Sequence, residues 1–329
     1  EFRVLKALQA SGVPVPEPLL HCEDESVIGA SFYVMAFVDG RVLRDSRLPG
    51  MAASERQAVY EDAARVLAAM HRLDWQAAGL SGFGRPECFF ERQITRWARQ
   101  YDASTRDGVS AVDVMPRLTE ALCARVPPPL AQLPATALIH GDYRLENLLY
   151  HPTQPRVMAV LDWELATLGH PLGDLGYHAM AWHLPAEPLS GLLGPGQAVF
   201  RTSGHSLGAA GMDAEHAGLP GLRAHVQGYL RAMLAATPAA VMHNPGDDPG
   251  SSWGNTHPSA WAAVWAHLQA HFDFYLAFNL FRLAAILQGI AHRQAMGLAC
   301  APHARQVAAM AHPVAERAWE VLSGQRPAW

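Results

Sequence analysis

The spacing of apolar residues predicts a short N-terminal segment that contains strands and a long, mainly helical remainder. Apolar residues at helical spacing predict a helix over residues 1–10, and two runs of strand-forming residues, 19–22 and 31–38, predict a hairpin. Three more short strands are predicted at residues 137–139, 147–150 and 157–161. Helices are predicted at residues 54–72, 88–101, 113–126, 172–184, 222–236, 259–298 (with a possible break) and 302–323.

The helix predicted over residues 54–72 has both a start signal and a clear apolar face. Ser54 and Gln57 have the spacing of a capping box, in which two side chains satisfy free backbone N–H groups at the start of a helix. The predicted buried stripe consists of Val59, Ala63, Val66, Leu67 and Met70.

Composition and charge argue against several classes of partner. The chain has 329 residues and a net charge of −5, so it offers no basic field for a nucleic acid or an anionic membrane, and neither partner is expected. The most apolar stretch, residues 274–291, is interrupted by Asn279, Arg282 and Gln288, which predicts a buried helix and not a membrane span. The four cysteines are widely spaced, so a disulfide framework or zinc knuckle is not expected and a cytoplasmic location is.

One segment near the middle of the chain places two aspartates and an asparagine where strand pairing would bring their side chains together. Asp142 follows a predicted strand, Asn147 opens the next strand, and Asp162 ends the strand that would pair with it. Pairing of the two strands would place Asn147 beside Asp162, with Asp142 at the same end. One amide and two carboxylates suit Mg²⁺, and a free aspartate can orient and deprotonate an alcohol.

The run from His140 to Asn147, followed by Asp162-Trp163-Glu164, resembles the catalytic and metal loops of the protein-kinase-like fold. It looks most like the aminoglycoside phosphotransferase family, and within it the kinase-like domains associated with acyl-CoA dehydrogenases. The resemblance implies an α+β, two-lobed fold. Residues 1–40 would form a truncated, β-rich N-lobe, and residues 41–329 a mainly helical C-lobe.

The same resemblance implies roles for individual residues. Asp142 would be the catalytic base, Arg144 would touch the transferred phosphate, and Asn147 and Asp162 would bind Mg²⁺. Structural support would come from His140, Asp174 and Glu164. His140 would brace the loop and Asp174 would hydrogen-bond it from the following helix, whereas Glu164 could either join the metal shell or bond the loop backbone.

The resemblance further implies an ATP site between the lobes. The hinge strand would place Met35 as the gatekeeper, with Ala36 and Val38 offering a carbonyl and an N–H to adenine. The side chains of Leu149 and Leu161 would form the bottom of the adenine pocket. Glu1 lies where the resemblance puts the glutamate that pairs with a strand lysine near the phosphates.

Two parts of a kinase-like site are not found in the sequence, namely a Gly-rich hairpin and a strand lysine. Lys6 is the only lysine, and it lies about 140° round the first predicted helix from Glu1. The expectation is therefore that the sequence starts late and that this chain does not turn over ATP. A catalytically inactive kinase-like binding module is the alternative, and a metal-dependent hydrolase using His140 and Asp142 is a weaker third.

Several other residues allow both a functional and a structural interpretation. His267 and His271 could bind a metal, although a chain with 17 histidines produces such pairs by chance. Trp182-His183 and Trp253 could line a substrate cleft, but packing is favoured for these aromatic residues. The apolar helix near the cleft carries Asp273, Asn279 and Arg282, and Arg282 could meet an anionic substrate or form a structural salt bridge.

These observations favour a small-molecule kinase that phosphorylates a hydroxyl group. Residues 187–260 mix acidic residues with Arg201, Arg223 and Arg231, a balance that does not favour a polycationic acceptor. The acidic residues are Glu187, Asp213, Glu215, Asp247 and Asp248. The resemblance instead suggests a hydroxyacyl-CoA or similar metabolite, with an acyl-CoA dehydrogenase as a possible neighbour. The sequence leaves the oligomeric state open.

Overall fold

Short antiparallel strands form three separate small sheets in the part of the chain that is described. The computed structural model describes residues 1–106, 109–184, 218–235, 258–298 and 304–329. The strands are β1 (Pro18–Cys22), β2 (Phe32–Met35), β3 (Arg41–Val42), β4 (Ala137–Ile139), β5 (Leu148–Tyr150), β6 (Val157–Val160) and β7 (Thr167–Gly169). Strands β1 and β2 form a hairpin, β3, β5 and β6 form a second sheet in that order, and β4 pairs with β7.

Helices make up about half of the described residues and far more of them than strands do, so the architecture is mixed α+β with more helix than strand. The helices are α1 (Phe2–Leu8), α2 (Ala53–His71), α3 (Phe89–Ser104), α4 (Val114–Ala124), α5 (Pro171–Ala179), α6 (Leu222–Met233), α7 (Pro258–Ala295), α8 (Ala304–Ala308) and α9 (Ala311–Leu322). Single 3-10 turns lie at Leu145–Asn147, Trp163–Leu165 and Met180–Trp182.

The core is organised around α7, which packs against α3, α5, α8 and α9. By length and composition alone α7 could cross a membrane, but 78% of its most apolar 18-residue window is buried inside the protein. Helix α7 is therefore a buried core helix, as the sequence predicted for residues 274–291. Helix α5 approaches α7 so closely that a Cβ at Gly176 would lie 2.6 Å from the carbonyl oxygen of Tyr275. A larger residue at this position would force the two helices apart.

Helix α2 packs against α6, although the two are far apart in the sequence. At the end of α2, Nη1 of Arg72 lies 2.7–3.1 Å from the carbonyl oxygens of Ala232, Met233 and Ala235, which share its two hydrogens. These carbonyls lie in and just after the last turn of α6, where helical carbonyls lack partners within the helix. The guanidinium therefore caps α6 and fixes it to α2.

The start of α2 differs from the sequence prediction. The N-cap residue is Ala52 and makes no side-chain cap, so the predicted capping box of Ser54 and Gln57 is wrong. Gln57 instead hydrogen-bonds Glu61 one turn later, at 2.7 Å. The predicted buried stripe of α2 is confirmed, since all five of its residues are buried.

Other element boundaries also depart from the predictions. The hinge strand ends at Met35 and not at residue 38, and Asn147 closes a 3-10 turn and does not open β5. Helix α7 is continuous. The helix predicted over 302–323 is divided into α8 and α9, because Pro313 lies in the first turn of α9 and has no N–H to continue a preceding helix.

Candidate active site

The loop after β4 turns sharply before it presents Asp142. Gly141 has a φ of 83°, in the left-handed region that favours glycine. A Cβ at this position would lie 2.7 Å from the carbonyl oxygen of Leu165, so any side chain would collide with the neighbouring loop. The glycine therefore allows this loop and the loop after β6 to lie against each other.

Both carboxylate oxygens of Asp142 have partners. Oδ2 accepts a hydrogen bond from Nδ2 of Asn147 at 3.0 Å, and the same Nδ2 also donates to the Asp142 carbonyl at 2.9 Å. Oδ1 accepts a hydrogen bond from the hydroxyl of Tyr177 and lies 3.3 Å from Nε of Arg144. The carboxylate is thus held in one orientation, with most of its surface buried.

His140 connects the two loops of the site. Its Nδ1 accepts a hydrogen bond from the Asp142 backbone N–H at 3.2 Å, so Nε2 carries the hydrogen that the Leu161 carbonyl accepts at 2.8 Å. The ring also packs against Trp163, with centroids 4.7 Å apart. One side chain therefore joins the residue before Asp162 to the backbone of Asp142.

Asp174 supports the same loop from α5. Its carboxylate accepts hydrogen bonds from the backbone N–H groups of His140 at 2.6 Å and Gly141 at 2.8 Å, which is the contact that the resemblance implied. His71 lies 3.4 Å away through Nε2, and its Nδ1 contacts the hydroxyl of Tyr229 at 2.8 Å. Burial alone would raise the pKa of Asp174, but these partners lower it, so the carboxylate is charged.

The metal loop follows β6. Leu161 N–H donates to the Asn147 carbonyl at 2.8 Å, which holds the strand ends together and brings Asp162 to the side of Asn147. Asp162 has a φ of 65°, a left-handed conformation that costs energy for a residue with a side chain. Carboxylate oxygens of Asp162, Glu164 and Glu1 lie within 4.8 Å of one another.

This donor set fits a hard divalent cation. Three exposed carboxylates so close together repel one another unless a cation lies between them, and oxygen ligands are those that Mg²⁺ prefers. Because Nδ2 of Asn147 is committed to Asp142, Oδ1 is the atom that Asn147 can offer to a cation. The Glu164 carboxylate lies near those of Asp162 and Glu1, and its place in a metal shell stays a prediction.

The Glu1 carboxylate lies beside the loop that carries Asp162 and Glu164. Its Oε2 accepts a hydrogen bond from the hydroxyl of Tyr33 at 2.6 Å. Burial, followed by the Glu1 carboxylate and then by Asp162, raises the pKa of Tyr33 to about 12. The phenol therefore stays protonated and positions Glu1 beside the metal loop.

The residues proposed for adenine binding lie around the hinge. Met35 is the last residue of β2, and Ala36 N–H donates to the Glu17 carbonyl at 2.8 Å, which leaves the Ala36 carbonyl outside that pairing. Val38 is half-buried in the hinge that follows.

The two leucines expected below the hinge, Leu149 and Leu161, lie in or next to the second sheet. Leu149 pairs with Val42 and lies against Gly40, where an added Cβ would come within 3.4 Å of the Leu149 Cβ. Leu161 is half-buried after the neighbouring strand β6. The hinge thus runs over Leu149.

Arg144 and Glu146 form an ion pair next to Asp142. Nη1 of Arg144 lies 3.0 Å from Oε2 of Glu146, while its Nε faces Asp142. Burial raises the pKa of Glu146 to about 7 and outweighs the opposite effects of Arg144 and Arg44. Burial disfavours the charge of Arg144, but Asp142 and Tyr177 favour it more, so the pKa of Arg144 is raised and the cation is retained.

A small apolar cavity of about 60 Å³ opens beside the base. Arg144 and Tyr177 form its polar end, next to Asp142. Most of its other lining residues are apolar or aromatic, and they include Tyr60, Leu145, Met180 and Leu283.

Most of the remaining candidate residues have structural partners. Asp273 accepts a hydrogen bond from Ala328 N–H, and Asn279 donates to the carbonyls of Gly173 and Tyr275. Arg282 forms no salt bridge with a described acidic residue, so the structural salt bridge considered for it is not present in that part of the chain.

The aromatic and histidine candidates are likewise engaged in packing. Trp182 is fully buried and donates to the Pro220 carbonyl at 3.0 Å, and His183 contacts Arg317 at 3.0 Å. Nε2 of His267 contacts the Tyr275 hydroxyl at 2.8 Å, and no third metal ligand joins His267 and His271 within the described residues.

Several candidates within residues 182–260 fall outside the part of the chain that the structure describes. They include Trp253, which was considered for the substrate cleft, and Arg201. The same holds for the acidic residues Glu187, Asp213, Glu215, Asp247 and Asp248.

Tyr177 contacts Asp142 although no sequence motif indicated it. It lies three positions after Asp174 on α5, so both residues project towards the catalytic loop from one face of the helix. That spacing was the available signal, because a residue one turn from a loop-binding aspartate reaches the same loop. Burial and the adjacent Asp142 raise the pKa of Tyr177, so its hydroxyl remains a donor.

The chain is similar in sequence and in fold to several known proteins. Acyl-CoA dehydrogenase family member 11 of Gallus gallus is 37% identical over 321 residues, which is 98% of this chain and 35% of that protein. The chain therefore spans about a third of that relative's length. A Ralstonia eutropha protein assigned as an aminoglycoside phosphotransferase has a solved structure with 39% identity and a TM-score of 0.75, covering 98% of this chain and 82% of that one.

A more distant structure supports the kinase-like fold alone. The choline kinase of Cryptosporidium parvum matches with a TM-score of 0.56 at 10% identity, covering 98% of this chain and 78% of that one. The predicted α+β, kinase-like fold is thereby confirmed. The sequence model of the phosphotransferase enzyme family matches residues 1–200, which include the catalytic loop, the metal loop and α5. The chain therefore belongs to the phosphotransferase enzyme family.

Proposed function

We propose that this chain transfers the γ-phosphoryl group of ATP to a hydroxyl of a small molecule, with Mg²⁺ bound at the metal loop. Asp142 would accept the proton of the attacking hydroxyl. Asn147 and Asp162 would hold the cation, with Glu164 and Glu1 beside it. Mg²⁺, when bound, would bridge phosphate oxygens and offset their negative charge.

The observation that carries the proposal is the convergence of base and metal ligands on one point. Asn147 touches Asp142 through its side chain and touches Leu161, next to Asp162, through its backbone. Catalysis of phosphoryl transfer depends mainly on positioning and charge stabilisation. The hydrogen bonds from His140 and to Asp174 support such positioning, because they fix both loops to a buried helix.

For the acceptor, the similarity to proteins named acyl-CoA dehydrogenase family members supports a hydroxyacyl-CoA or a similar metabolite. A catalytically inactive binding module is the competing proposal. Its support is that Lys6, the only lysine in the sequence, lies on α1, outside the strands. Both proposals predict that the chain binds a nucleotide, but only the first predicts that it transfers a phosphoryl group.

The test measures ADP formation by the full chain with ATP, Mg²⁺ and a panel of hydroxylated metabolites that includes 3-hydroxyacyl-CoA thioesters. The comparison is with Asp142→Asn, which keeps the shape of the side chain but removes the proton acceptor. We expect turnover to fall at least ~100-fold, the lower end of the effect of losing a general base, with ATP affinity unchanged.

Asp102→Asn is the matched control, because Asp102 is an exposed aspartate on α3. It should leave turnover unchanged. Turnover that survives Asp142→Asn would contradict the role of the base. ATP binding without turnover of any acceptor would favour the binding module.

A further inference from the structure

Arg282, on α7, lies one aromatic ring away from the base. Its guanidinium carbon is 5.1 Å from the ring centroid of Tyr177, the residue whose hydroxyl contacts Asp142. The same carbon is 5.4 Å from the ring of Trp97, on α3. The cation thus contacts two aromatic rings, and one of them belongs to the residue that holds Asp142.

The charge of Arg282 has no acidic partner among the described residues. Its Nε is buried and makes no hydrogen bond, and Nε1 of Trp97 beside it is also buried without a partner. Arginine stays charged at any relevant pH, and a buried donor without an acceptor costs free energy. Ring faces attract a guanidinium but accept no strong hydrogen bond. Two neighbouring donors therefore lack the acceptor that an anion would provide.

The negative charge of Asp142 does not prevent an anion from binding near Arg282. Asp142 is itself matched by Arg144 and by the Tyr177 hydroxyl, so its negative charge is already offset on the acceptor side. The cavity next to Tyr177 is mostly apolar, and Leu283, the neighbour of Arg282 on α7, forms part of its wall. Arg282 is not among the residues that line the cavity, but Tyr177, which lines it, contacts the guanidinium. An acceptor with its hydroxyl at Asp142 would therefore meet Arg282 only with a charged group that extends past the Tyr177 ring.

We infer that the acceptor of the proposed phosphoryl transfer is an anion, and that Arg282 binds its carboxylate or phosphate group. This inference rests on the proposed function, because it identifies the substrate class of the same site. A guanidinium matches either group with two parallel hydrogen bonds. A polycationic acceptor would instead be repelled by Arg282.

The experiment measures binding to the full chain by calorimetry, without nucleotide, so that it does not depend on turnover. The carboxylate arm compares 3-hydroxyhexanoate with 3-hydroxyhexanamide. The phosphate arm compares propane-1,2-diol 1-phosphate with propane-1,2-diol. We expect at least one anion to bind 10-fold or more tightly than its neutral partner, and the arm that shows the preference identifies the charged group.

Variants then assign the preference to Arg282. Arg282→Gln should abolish the difference between anion and neutral partner, and Arg282→Lys should keep part of it, because lysine retains the charge but not the two-pronged geometry. Arg96→Gln is the matched control, since Arg96 also lies over the Trp97 ring, at 5.4 Å, but is exposed and makes no contact with Tyr177. It should preserve the full preference.

The inference is overturned if anions and neutral partners bind equally, if none of the four probes binds, or if Arg282→Gln lowers the melting temperature and leaves the preference intact. That last result would make Arg282 a structural link between α3 and α5. Failure of the proposed function has a different signature, because anion preference would persist while no acceptor is phosphorylated in the presence of ATP and Mg²⁺.

Discussion

Tyr177 donates a hydrogen bond to Oδ1 of Asp142, so the base of the proposed reaction is held from α5 as well as from its own loop. Asp174, one turn earlier on α5, holds the backbone of that loop. A single helix therefore sets both the position of the loop and the orientation of the carboxylate. In the absence of acceptor the phenol lies where an attacking hydroxyl would have to approach Oδ1.

Removal of the Tyr177 hydroxyl should slow phosphoryl transfer without weakening nucleotide binding. In Tyr177→Phe, Asp142 loses one of the two side-chain hydrogen bonds that fix its orientation, and misplacement of a reacting group by about 1 Å can cost ~100-fold in rate. We expect kcat to fall about 10- to 100-fold at constant KM for ATP. Tyr150→Phe, which also removes a buried hydroxyl but lies away from Asp142, should retain the original kcat.

Loss of the proposed metal ligands should weaken the binding of ATP only when Mg²⁺ is present. Asp162→Ala and Asn147→Ala each remove one ligand between the protein and the phosphates. Calorimetry with and without Mg²⁺ measures the difference, and we expect about a 10-fold loss of the Mg²⁺-dependent affinity in each variant. Equal ATP affinity with and without Mg²⁺ in the unchanged protein would contradict the assignment of the metal loop.

Glu146 should make the stability of the protein depend on pH. Its pKa in the folded protein, about 7, lies above its ordinary value of 4.5, because burial disfavours the ionised form. The folded state therefore holds this proton more tightly than the unfolded state. The stabilisation from this group is complete below pH 4.5 and is lost as pH rises towards 7.

Thermal unfolding of Glu146→Gln at several pH values tests whether Glu146 lowers stability as the pH rises. We expect the variant to have a higher Tm than the unchanged protein at pH 8 and a similar Tm at pH 4.5. Glu120→Gln, at an exposed position on α4, should follow the unchanged protein at every pH. A Glu146→Gln variant that is less stable at pH 8 would show that the ion pair with Arg144 outweighs burial.

Replacement of Asp174 should lower both stability and activity. In Asp174→Asn, the backbone N–H groups of His140 and Gly141 lose a charged acceptor in a fully buried place. Breaking a buried charged interaction costs about 3–5 kcal/mol, and we expect the free energy of unfolding in urea to fall by about 3 kcal/mol. Asp113→Asn, at an exposed aspartate before α4, should change it little. An unchanged midpoint in Asp174→Asn would disprove this supporting role.

The local parts of the site could be predicted because they depend on short spacings. Asn147 and Asp162 lie at the ends of the paired strands β5 and β6, and Asp142 is five residues before Asn147, so strand pairing and sequence distance bring the three together. The partners from distant segments could not be found in this way. His71 and Tyr229 are 158 residues apart and look like ordinary core residues of amphipathic helices until their contact is seen.

The errors in the element boundaries have similar causes. Ser54 and Gln57 fit the capping-box spacing, but Gln57 bonds Glu61, and the pattern gives no means of weighing that competing pair. Strands β3 and β7 have two and three residues and are too short for an alternating pattern to appear. The approach of Arg282 to Tyr177 depends on how α7 packs on α5, which local periodicity does not specify.

The capping of α6 by Arg72 also has a consequence for the order of folding during synthesis. The partner carbonyls of Arg72 begin 160 residues later in the chain. At a synthesis rate of about 5–20 residues per second, α2 leaves the ribosome roughly 10–30 s before α6 does. During that interval the apolar face that α6 will cover is open to water, to chaperones and to other nascent chains. Slow translation between residues 72 and 232 would therefore lower the yield of native protein more than slow translation after α6.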